Sequence, residues 1–260
     1  MIPYNYHTHT YRCGHAVGSD EEYVLESIAS GVRVLGFSDH IMLPNFVQPT
    51  IRGDYAFLED YLNSINELKI KYADKIRILV GFEAEYAEEY LNYYKELLDS
   101  KKIEYLILGQ HYEFRNKKIV HSFGRIQEKN ELLLYRDLVI EGMKSGLFKI
   151  VAHPDLFMAC YPIFDATAKK VANDICKASL RYDIPLEINL GGIRQGYTHL
   201  SEERRYIYPY LPFWEIAGKM KCKVVIGVDA HSPRNFRSNE YSIALKIIRE
   251  FKLNHVKDFF

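Results

Sequence analysis

The sequence predicts an α/β fold in which about seven parallel strands close into a barrel surrounded by helices. Short apolar runs alternate with helical patterns along all 260 residues, which indicates βαβ units and a parallel sheet. Nearly every apolar run ends in a histidine or a carboxylate, as expected when the loops after the strands share one functional face of a barrel. An open doubly wound sheet is the alternative, but the first strand leads into His7-Thr8-His9 and not into a glycine fingerprint.

Seven runs of mainly β-branched, aromatic and other apolar residues are the predicted strands. They cover residues 2–6, 34–37, 76–80, 105–108, 149–152, 185–188 and 224–228. No linker and no low-complexity stretch interrupts the series, so we expect residues 1–260 to form one barrel domain.

The predicted helices lie between these strands, where apolar residues recur at spacings of three and four. The first begins at Ser19, because Ser19-Asp20-Glu21-Glu22 has the pattern of a capping box, and Gly31 can end it. The remaining helices are expected near residues 58–68, 88–98, 128–144, 168–176, 212–220 and 241–251.

The composition excludes several classes of partner. The 34 basic and 34 acidic residues cancel, so no overall field attracts nucleic acid or an anionic membrane. The four cysteines are scattered and form no CxxC pair, which argues against a disulfide framework or a zinc ribbon. No secretory or membrane-spanning pattern is present. We therefore expect a cytoplasmic protein with a small-molecule substrate; the oligomeric state is left open.

The strand ends carry nine candidate metal ligands. Residues i and i+2 of an extended chain point to the same side, so His7 and His9 should aim both imidazoles at one point. A lone histidine is usually structural, but seven of the ten histidines fall on the same predicted barrel face. The nine candidates are His7, His9, His15, His40, Glu83, His111, His153, Asp229 and His231. Imidazoles mixed with carboxylates suit zinc, manganese or iron, and nine ligands imply two or three ions.

Three neighbouring residues have alternative interpretations. Glu83 is preferred to Glu85 as a ligand because it lies closer to its strand. Asp39 is expected either to bind a metal or to orient His40. Cys13 could be a soft ligand, but packing is favoured because the other candidates are imidazoles and carboxylates.

Arg194 is the main candidate for binding an anionic substrate. It lies in a glycine-rich turn, residues 191–196, just after the sixth strand. A guanidinium can bind two oxygens of a phosphate at once, although a solvated loop arginine is the alternative. Arg125 and His199 are weaker candidates for substrate binding. Glu187 could line the site or pair with a cation.

Together these residues resemble the polymerase-and-histidinol-phosphatase (PHP) family of metal phosphoesterases. The motifs span almost the whole chain in the family's order, and their context is most similar to the stand-alone histidinol-phosphate phosphatase branch. The matching motifs are His7-Thr8-His9, Cys13-Gly14-His15-Ala16, Ser38-Asp39-His40, Gly81-Phe82-Glu83, Gly109-Gln110-His111, Ala152-His153-Pro154-Asp155, Glu187-Ile188-Asn189 and Asp229-Ala230-His231.

The resemblance implies a distorted seven-stranded, TIM-like barrel of the PHP type that holds three divalent transition-metal ions. It implies His7, His9, Glu83 and Asp229 as ligands of the first ion, and Glu83, His111 and His153 as ligands of the second. The third would be held by His15, His40 and His231. The implied substrate is L-histidinol phosphate, which would be hydrolysed to L-histidinol and phosphate in histidine biosynthesis.

The expected mechanism uses a metal-bridging hydroxide as the nucleophile. Arg194 and the metals would neutralise the phosphoryl oxygens, with Asp229 or a nearby histidine as the source of the leaving-group proton. Alternatives are another phosphomonoester, a nucleotide or a phosphotyrosine protein as substrate, and a non-catalytic metal-binding module. A metal-dependent amidohydrolase would usually carry a bridging lysine, and no lysine stands at a predicted strand end.

Overall fold

The computed structural model describes residues 2–200, 203–237 and 239–260. Twelve strands are found in these ranges, and eight of them form one parallel sheet. In chain order the strands are β1 (Tyr4–Asn5), β2 (Val34–His40), β3 (Arg77–Ala84), β4 (Tyr105–Leu108), β5 (Tyr112–Arg115), β6 (Lys118–Ser122), β7 (Ile150–Val151), β8 (Leu186–Asn189), β9 (Tyr197–Leu200), β10 (Glu203–Tyr206), β11 (Lys223–Gly227) and β12 (Asn254–His255).

Helices follow most strands of the parallel sheet and pack around it. The α-helices of the described chain are α1 (Asp20–Ala29), α2 (Leu58–Lys71), α3 (Leu91–Asp99), α4 (Lys129–Lys144), α5 (Ala166–Tyr182), α6 (Leu190–Arg194), α7 (Leu211–Met220) and α8 (Glu240–Glu250). The predicted capping box is present, since Ser19 Oγ accepts from the Glu22 amide and the Glu22 carboxylate accepts from the Ser19 amide. None of these helices combines the length and apolarity that crossing a bilayer requires.

The parallel sheet has the strand order β1-β2-β3-β4-β7-β8-β11-β12. The segments that follow β1 and β11 pair with each other. Thr8 and Ala230 form a parallel bridge there, and the His9 amide donates to the Ala230 carbonyl at 2.9 Å. The sheet therefore curls into a barrel, and all seven predicted strands contribute to it. The two-residue strand β12 was not predicted; it adds to the start of β11.

Three elements near the ends of the barrel strands differ from the prediction. Strands β5 and β6 form an antiparallel hairpin after β4, and β9 and β10 form another after α6. The expected glycine-rich turn is instead the short helix α6. Asn189 caps it by accepting from the Gly191 amide at 2.7 Å, which is a favourable N-cap interaction.

The barrel interior is apolar toward the beginnings of the strands. Aliphatic and aromatic side chains from six of the strands meet there, and Phe259 and Phe260 pack against them. The Tyr105 hydroxyl crosses the interior and is within hydrogen-bond distance of the carbonyls of Tyr6 (2.9 Å) and Phe37 (3.0 Å). This contact ties β4 to the backbone that leads into two predicted ligand motifs.

Candidate metal centre

The nine predicted ligands converge at the C-terminal ends of the barrel strands. Eight of them line a cavity of about 430 Å³. The ninth, His7, contacts two of these lining residues, Glu83 and Asp229, each at 3.5 Å. The cavity is lined by His9, His15, His40, Ile51, Glu83, His111, Tyr112, His153, Gly191, Arg194, Gln195, Tyr208, Asp229 and His231. The barrel therefore brings together residues as far apart in sequence as His7 and His231.

Glu83, at the end of β3, is the centre of this cluster. Its Oε1 lies 3.0 Å from His153 Nε2 and 3.5 Å from His111 Nε2. Its Oε2 lies near three more imidazoles, at 3.2 Å from His40 Nδ1, 3.5 Å from His7 Nε2 and 3.6 Å from His9 Nε2. Burial raises the pKa of Glu83, but the surrounding histidines outweigh it and hold the pKa well below its usual value.

Gly109 makes room for this carboxylate. A Cβ at position 109 would lie 2.0 Å from Glu83 Oε1, so a larger residue would displace Glu83. Glu85, the alternative ligand, does not share the central position. Its two oxygens are held by Arg52 at 2.9 and 3.0 Å.

Asp229 closes the other side of the cluster. Its Oδ1 lies 3.1 Å from His9 Nε2, 3.4 Å from His231 Nδ1 and 3.5 Å from His7 Nε2. Asp229 has a φ of +50° and His153 has a φ of +29°, a left-handed conformation that is costly for residues with a side chain. Such strain persists where the surrounding structure fixes it, commonly at functional sites.

Carboxylates stand behind two of the imidazoles. Glu187 Oε1 accepts from His7 Nδ1 at 2.8 Å, and its Oε2 accepts from the His153 amide at 3.2 Å. Asp39 Oδ1 lies 3.4 Å from His9 Nδ1 and accepts from the His40 amide at 2.8 Å. The carboxylate expected to orient the His40 side chain thus contacts the ring of His9 and the backbone of His40. A carboxylate on the far nitrogen of an imidazole fixes its tautomer and direction, as in many metal sites.

His15 and His231 form the outer part of the cluster. Their rings lie 4.6 Å apart, and the ring of His231 stacks on that of His9 at 4.1 Å. Donor atoms of Cys13, His15 and His231 lie within 4.8 Å of one another, as do those of His9, His40 and His231. His40 is farther from His15, with 5.7 Å between the rings. Burial raises the pKa of Cys13 to about 12, consistent with a packed thiol.

The donor set has the chemistry that divalent transition metals require. His7 Nε2 and His9 Nε2 face each other at 3.1 Å beside two carboxylates. His111 Nδ1, His153 Nδ1 and His231 Nε2 are buried without a hydrogen-bond partner in the described residues, although buried polar groups are normally paired. A cation shared with His9 and His40 would satisfy His231 Nε2, whereas His111 and His153 turn their other nitrogen, Nε2, towards Glu83 Oε1. The residues therefore fit such ions.

Arg194 lies in the cavity wall at the end of α6. Its Nη2 donates to the Val228 carbonyl at 2.8 Å and its Nη1 to the Asp229 carbonyl at 3.3 Å. Its Nε lies 3.9 Å from a Glu240 oxygen. The side chain is 24% exposed, so Arg194 is a partly buried residue of the site and not a solvated loop arginine.

Arg125 and His199 occupy different positions from Arg194. Arg125 follows β6 and His199 lies on β9, opposite Arg204. Both side chains are exposed, and neither belongs to the described residues that line the cavity. Arg194 is therefore the preferred residue for binding the substrate, and the substrate-binding roles expected of Arg125 and His199 stay predictions.

Sequence reasoning missed four residues of the wall: Ile51, Tyr112, Gln195 and Tyr208. No spacing pattern marks them, since each lies in a loop or hairpin.

The glycines near the strand ends could have indicated where carboxylates approach the backbone. A Cβ at Gly227 would lie 1.7 Å from Glu187 Oε1, and one at Gly191 would lie 2.6 Å from Asp229 Oδ2. Both glycines thus mark a close approach of backbone and carboxylate.

Fold and site together define an α/β-barrel protein with a histidine- and carboxylate-rich cluster of metal-binding type at the C-terminal ends of its strands. The chain matches the PHP domain family over residues 5–190 and belongs to that family. This membership confirms the resemblance inferred from the strand-end motifs.

Related proteins were found among both sequences and solved structures. A Deinococcus radiodurans protein named "Probable histidinol-phosphatase" is 27% identical over 94% of this chain and 92% of its own length. The Lactococcus lactis histidinol-phosphatase is 24% identical over 89% of this chain and 85% of its own. A Lactococcus lactis histidinol phosphate phosphatase structure with zinc, L-histidinol and phosphate has a TM-score of 0.70 at 19% identity, covering 98% of this chain and 95% of that one. This structural likeness confirms the fold.

Proposed function

We propose that this protein is a metal-dependent phosphomonoesterase that hydrolyses L-histidinol phosphate to L-histidinol and phosphate, a step of histidine biosynthesis. The observation that carries the proposal is the buried carboxylate of Glu83, which contacts five imidazoles in a cavity whose wall also holds an arginine. The relatives named histidinol-phosphatase span most of this chain, and the similar structure with L-histidinol and phosphate supports the substrate.

We propose three divalent transition-metal ions, zinc, manganese or iron, as cofactors. The proposed ligands are His7, His9, Glu83 and Asp229 for the first ion, Glu83, His111 and His153 for the second, and His15, His40 and His231 for the third. When bound, such ions supply a nucleophile at neutral pH and neutralise charge on the phosphoryl group. Elemental analysis of protein purified without chelator should find two to three ions per chain; a folded protein with a reproducible value near zero would contradict this.

Arg194 binds the phosphoryl group in this proposal. Each of its Nη atoms uses one N–H on a backbone carbonyl, and a guanidinium carries five N–H groups in all. The remaining N–H groups can therefore donate to phosphoryl oxygens at the cavity wall. Because its two carbonyl contacts hold the guanidinium in place, little side-chain freedom is lost when the substrate binds.

Asp229 or a nearby histidine transfers a proton to the leaving oxygen of L-histidinol. Burial raises the pKa of Asp229, but the surrounding histidines hold this pKa well below its usual value, so Asp229 would first have to take that proton from the attacking water. Its side chain is 11% exposed, compared with 1% for Glu83, so it is the more accessible of the two central carboxylates. Glu83 is buried beneath the ligands and cannot take this role while it contacts five imidazoles.

The substrate is tested by phosphate release from metal-loaded protein. The comparison is kcat/KM for L-histidinol phosphate against p-nitrophenyl phosphate, common nucleotides and a phosphotyrosine peptide. We expect an advantage of about a hundredfold or more for L-histidinol phosphate, since the loss of specific polar contacts gives discrimination of this order. If the generic esters are hydrolysed equally well, the assigned substrate is wrong while a phosphomonoesterase activity remains.

A further inference from the structure

A second buried carboxylate lies behind the metal centre. Glu85 is 1% exposed and its partner Arg52 is 3% exposed. The two side chains form an ion pair in which one atom, Arg52 Nη2, lies 2.9 and 3.0 Å from the two Glu85 oxygens. Burying two charges costs several kcal/mol per ion, so a stabilising role alone is a weak explanation for such a pair.

The same carboxylate faces His111. Glu85 Oε1 lies 3.5 Å from His111 Nδ1, on the side of the ring opposite to Nε2, which faces Glu83 Oε1 at 3.5 Å. His111 Nδ1 is buried, and no described residue accepts a well-formed hydrogen bond from it. An imidazole that offers its Nε2 lone pair to a cation carries its proton on Nδ1. That proton needs an acceptor, and Glu85 Oε1 is placed to be that acceptor.

Arg52 connects this pair to the cavity wall. It belongs to the loop between β2 and α2, where its Nη1 donates to the Ile41 carbonyl at 2.8 Å and its Nε to Gln48 Oε1 at 3.4 Å. The adjacent residue Ile51 lines the cavity. Because Arg52 binds both Glu85 oxygens, the carboxylate cannot rotate toward a cation, and its Oε1 stays directed at His111.

We propose that Glu85 is a positioning residue for His111, and that Arg52 fixes Glu85 for this purpose. The arrangement repeats the Glu187–His7 and Asp39–His9 pairs on a third imidazole. It rests on the proposed function insofar as His111 binds a cation. Glu85 then acts through the direction and tautomer of His111, without touching either the substrate or a cation.

Zinc retention tests this role without any phosphatase assay. Parent and variants are loaded with zinc and dialysed against a series of chelator concentrations, and zinc per chain is measured. Glu85→Gln should release one equivalent of zinc at about ten- to a hundredfold less chelator than the parent, as for other partners of metal-binding histidines. His111→Ala should lose the same equivalent, and the double variant should lose no more than His111→Ala.

The matched control is Asp20→Asn. Asp20 pairs with Arg12 at 2.9 Å in a similarly buried ion pair, with side chains 5% and 2% exposed. Both variants should lower the melting temperature, but Asp20→Asn should retain zinc like the parent. Equal zinc retention by Glu85→Gln and Asp20→Asn would show that the Arg52–Glu85 pair is merely structural. An extra equivalent lost in the double variant would show that Glu85 acts independently of His111.

Two further measurements keep the test decisive. If Glu85→Gln fails to fold, Arg52→Lys keeps the charge but loses the contacts with the Ile41 carbonyl and Gln48 that hold the guanidinium in place. It should shift zinc retention in the same direction by less. Nitrogen-15 NMR of labelled histidine reports which nitrogen of His111 carries the proton, also in protein without zinc. We expect protonated Nδ1 in the parent and a changed His111 signal in Glu85→Gln; unchanged signals would overturn the proposal.

A parent protein that binds no zinc would contradict the proposed function, whatever the NMR signals of His111 show.

Discussion

The two ends of the barrel interior are built from the same strands but have opposite chemistry. Toward the beginnings of the strands, the rings of Tyr6 and Tyr105 pack against Phe260 at 4.9 and 5.0 Å. Toward the ends of the strands, imidazoles and carboxylates fill the interior around Glu83. Tyr6 and His7 are neighbours in sequence, yet Tyr6 belongs to the apolar end and His7 to the metal-binding end.

The two ends differ in how specific the contacts of their side chains must be. Apolar burial is non-directional and scales with the area removed from water, so the apolar end tolerates changes of shape. Buried charges and imidazoles require specific partners at specific atoms. The glycines at 109 and 227 show this requirement, since each leaves space for one carboxylate oxygen. Substitutions at the two ends should therefore separate into effects on catalysis and effects on stability.

The largest expected effect is that of Glu83→Ala. This change removes the carboxylate that contacts five imidazoles, so at least one metal ion should be lost. We expect kcat/KM for L-histidinol phosphate to fall by at least ~10³-fold, since electrostatic groups at a reacting centre have effects of this size. Kinetics and elemental analysis measure both changes. The comparison variant is Glu85→Gln, and a larger loss from Glu85→Gln than from Glu83→Ala would mean that Glu85 is the central carboxylate.

Gly109→Ala tests the same carboxylate without removing it. The new methyl group would have to occupy space 2.0 Å from Glu83 Oε1, so Glu83 should shift away from His153 and His111. A displacement of about 1 Å can cost about a hundredfold in rate, and we expect a loss of that order in kcat/KM. Gly124→Ala is the control because, apart from its chain neighbours, no atom of the described residues lies within 4 Å of its added Cβ. Equal activity of the two variants would mean that Glu83 does not need this position.

The sequence predicted the barrel and the approximate location of its ligands because both follow local rules. Alternation of strands and helices indicates a parallel sheet, and parallel strands bring their C-terminal ends to one edge. His40 and Glu83 each stand at the end of an apolar run, and the structure brings them within 3.2 Å of each other. No distant contact had to be known for this prediction.

Pairings between distant side chains could not be predicted in the same way. Glu187 and His7 are 180 positions apart, and nothing in the local pattern indicates that one faces the other. Asp39 was expected to orient the side chain of His40, its neighbour in sequence, but it contacts the ring of His9 and the backbone amide of His40. The β9–β10 hairpin was missed because its strands are polar and half exposed, so they lack the apolar runs that identify barrel strands.

Arg194→Ala should have an intermediate effect that distinguishes two roles of this residue. If its free N–H groups bind the phosphoryl group, kcat/KM should fall about a hundredfold, equivalent to about 2–3 kcal/mol, with metal content unchanged. Arg194→Lys should keep the charge and lose the paired geometry. Arg125→Ala, which alters an exposed arginine outside the cavity wall, should stay within about twofold of the parent. If Arg194→Ala also loses metal, its main role is to hold the backbone of Asp229.

The smallest effect on catalysis is expected at the apolar end, from Val34→Ala. Val34 is 5% exposed and lies at the start of β2 among apolar side chains. The change replaces two methyl groups by hydrogen atoms, a loss of two carbon atoms, so the free energy of unfolding should fall by about 1.5 kcal/mol. Urea denaturation measures this change, while kcat/KM should stay within about twofold and metal content should not change. A tenfold loss of activity with loss of metal would show that packing at the beginnings of the strands controls the ligands at their ends. The contact of Tyr105 with the carbonyls of Tyr6 and Phe37 is the route by which that coupling would reach His7, and Tyr105→Phe would then reproduce it.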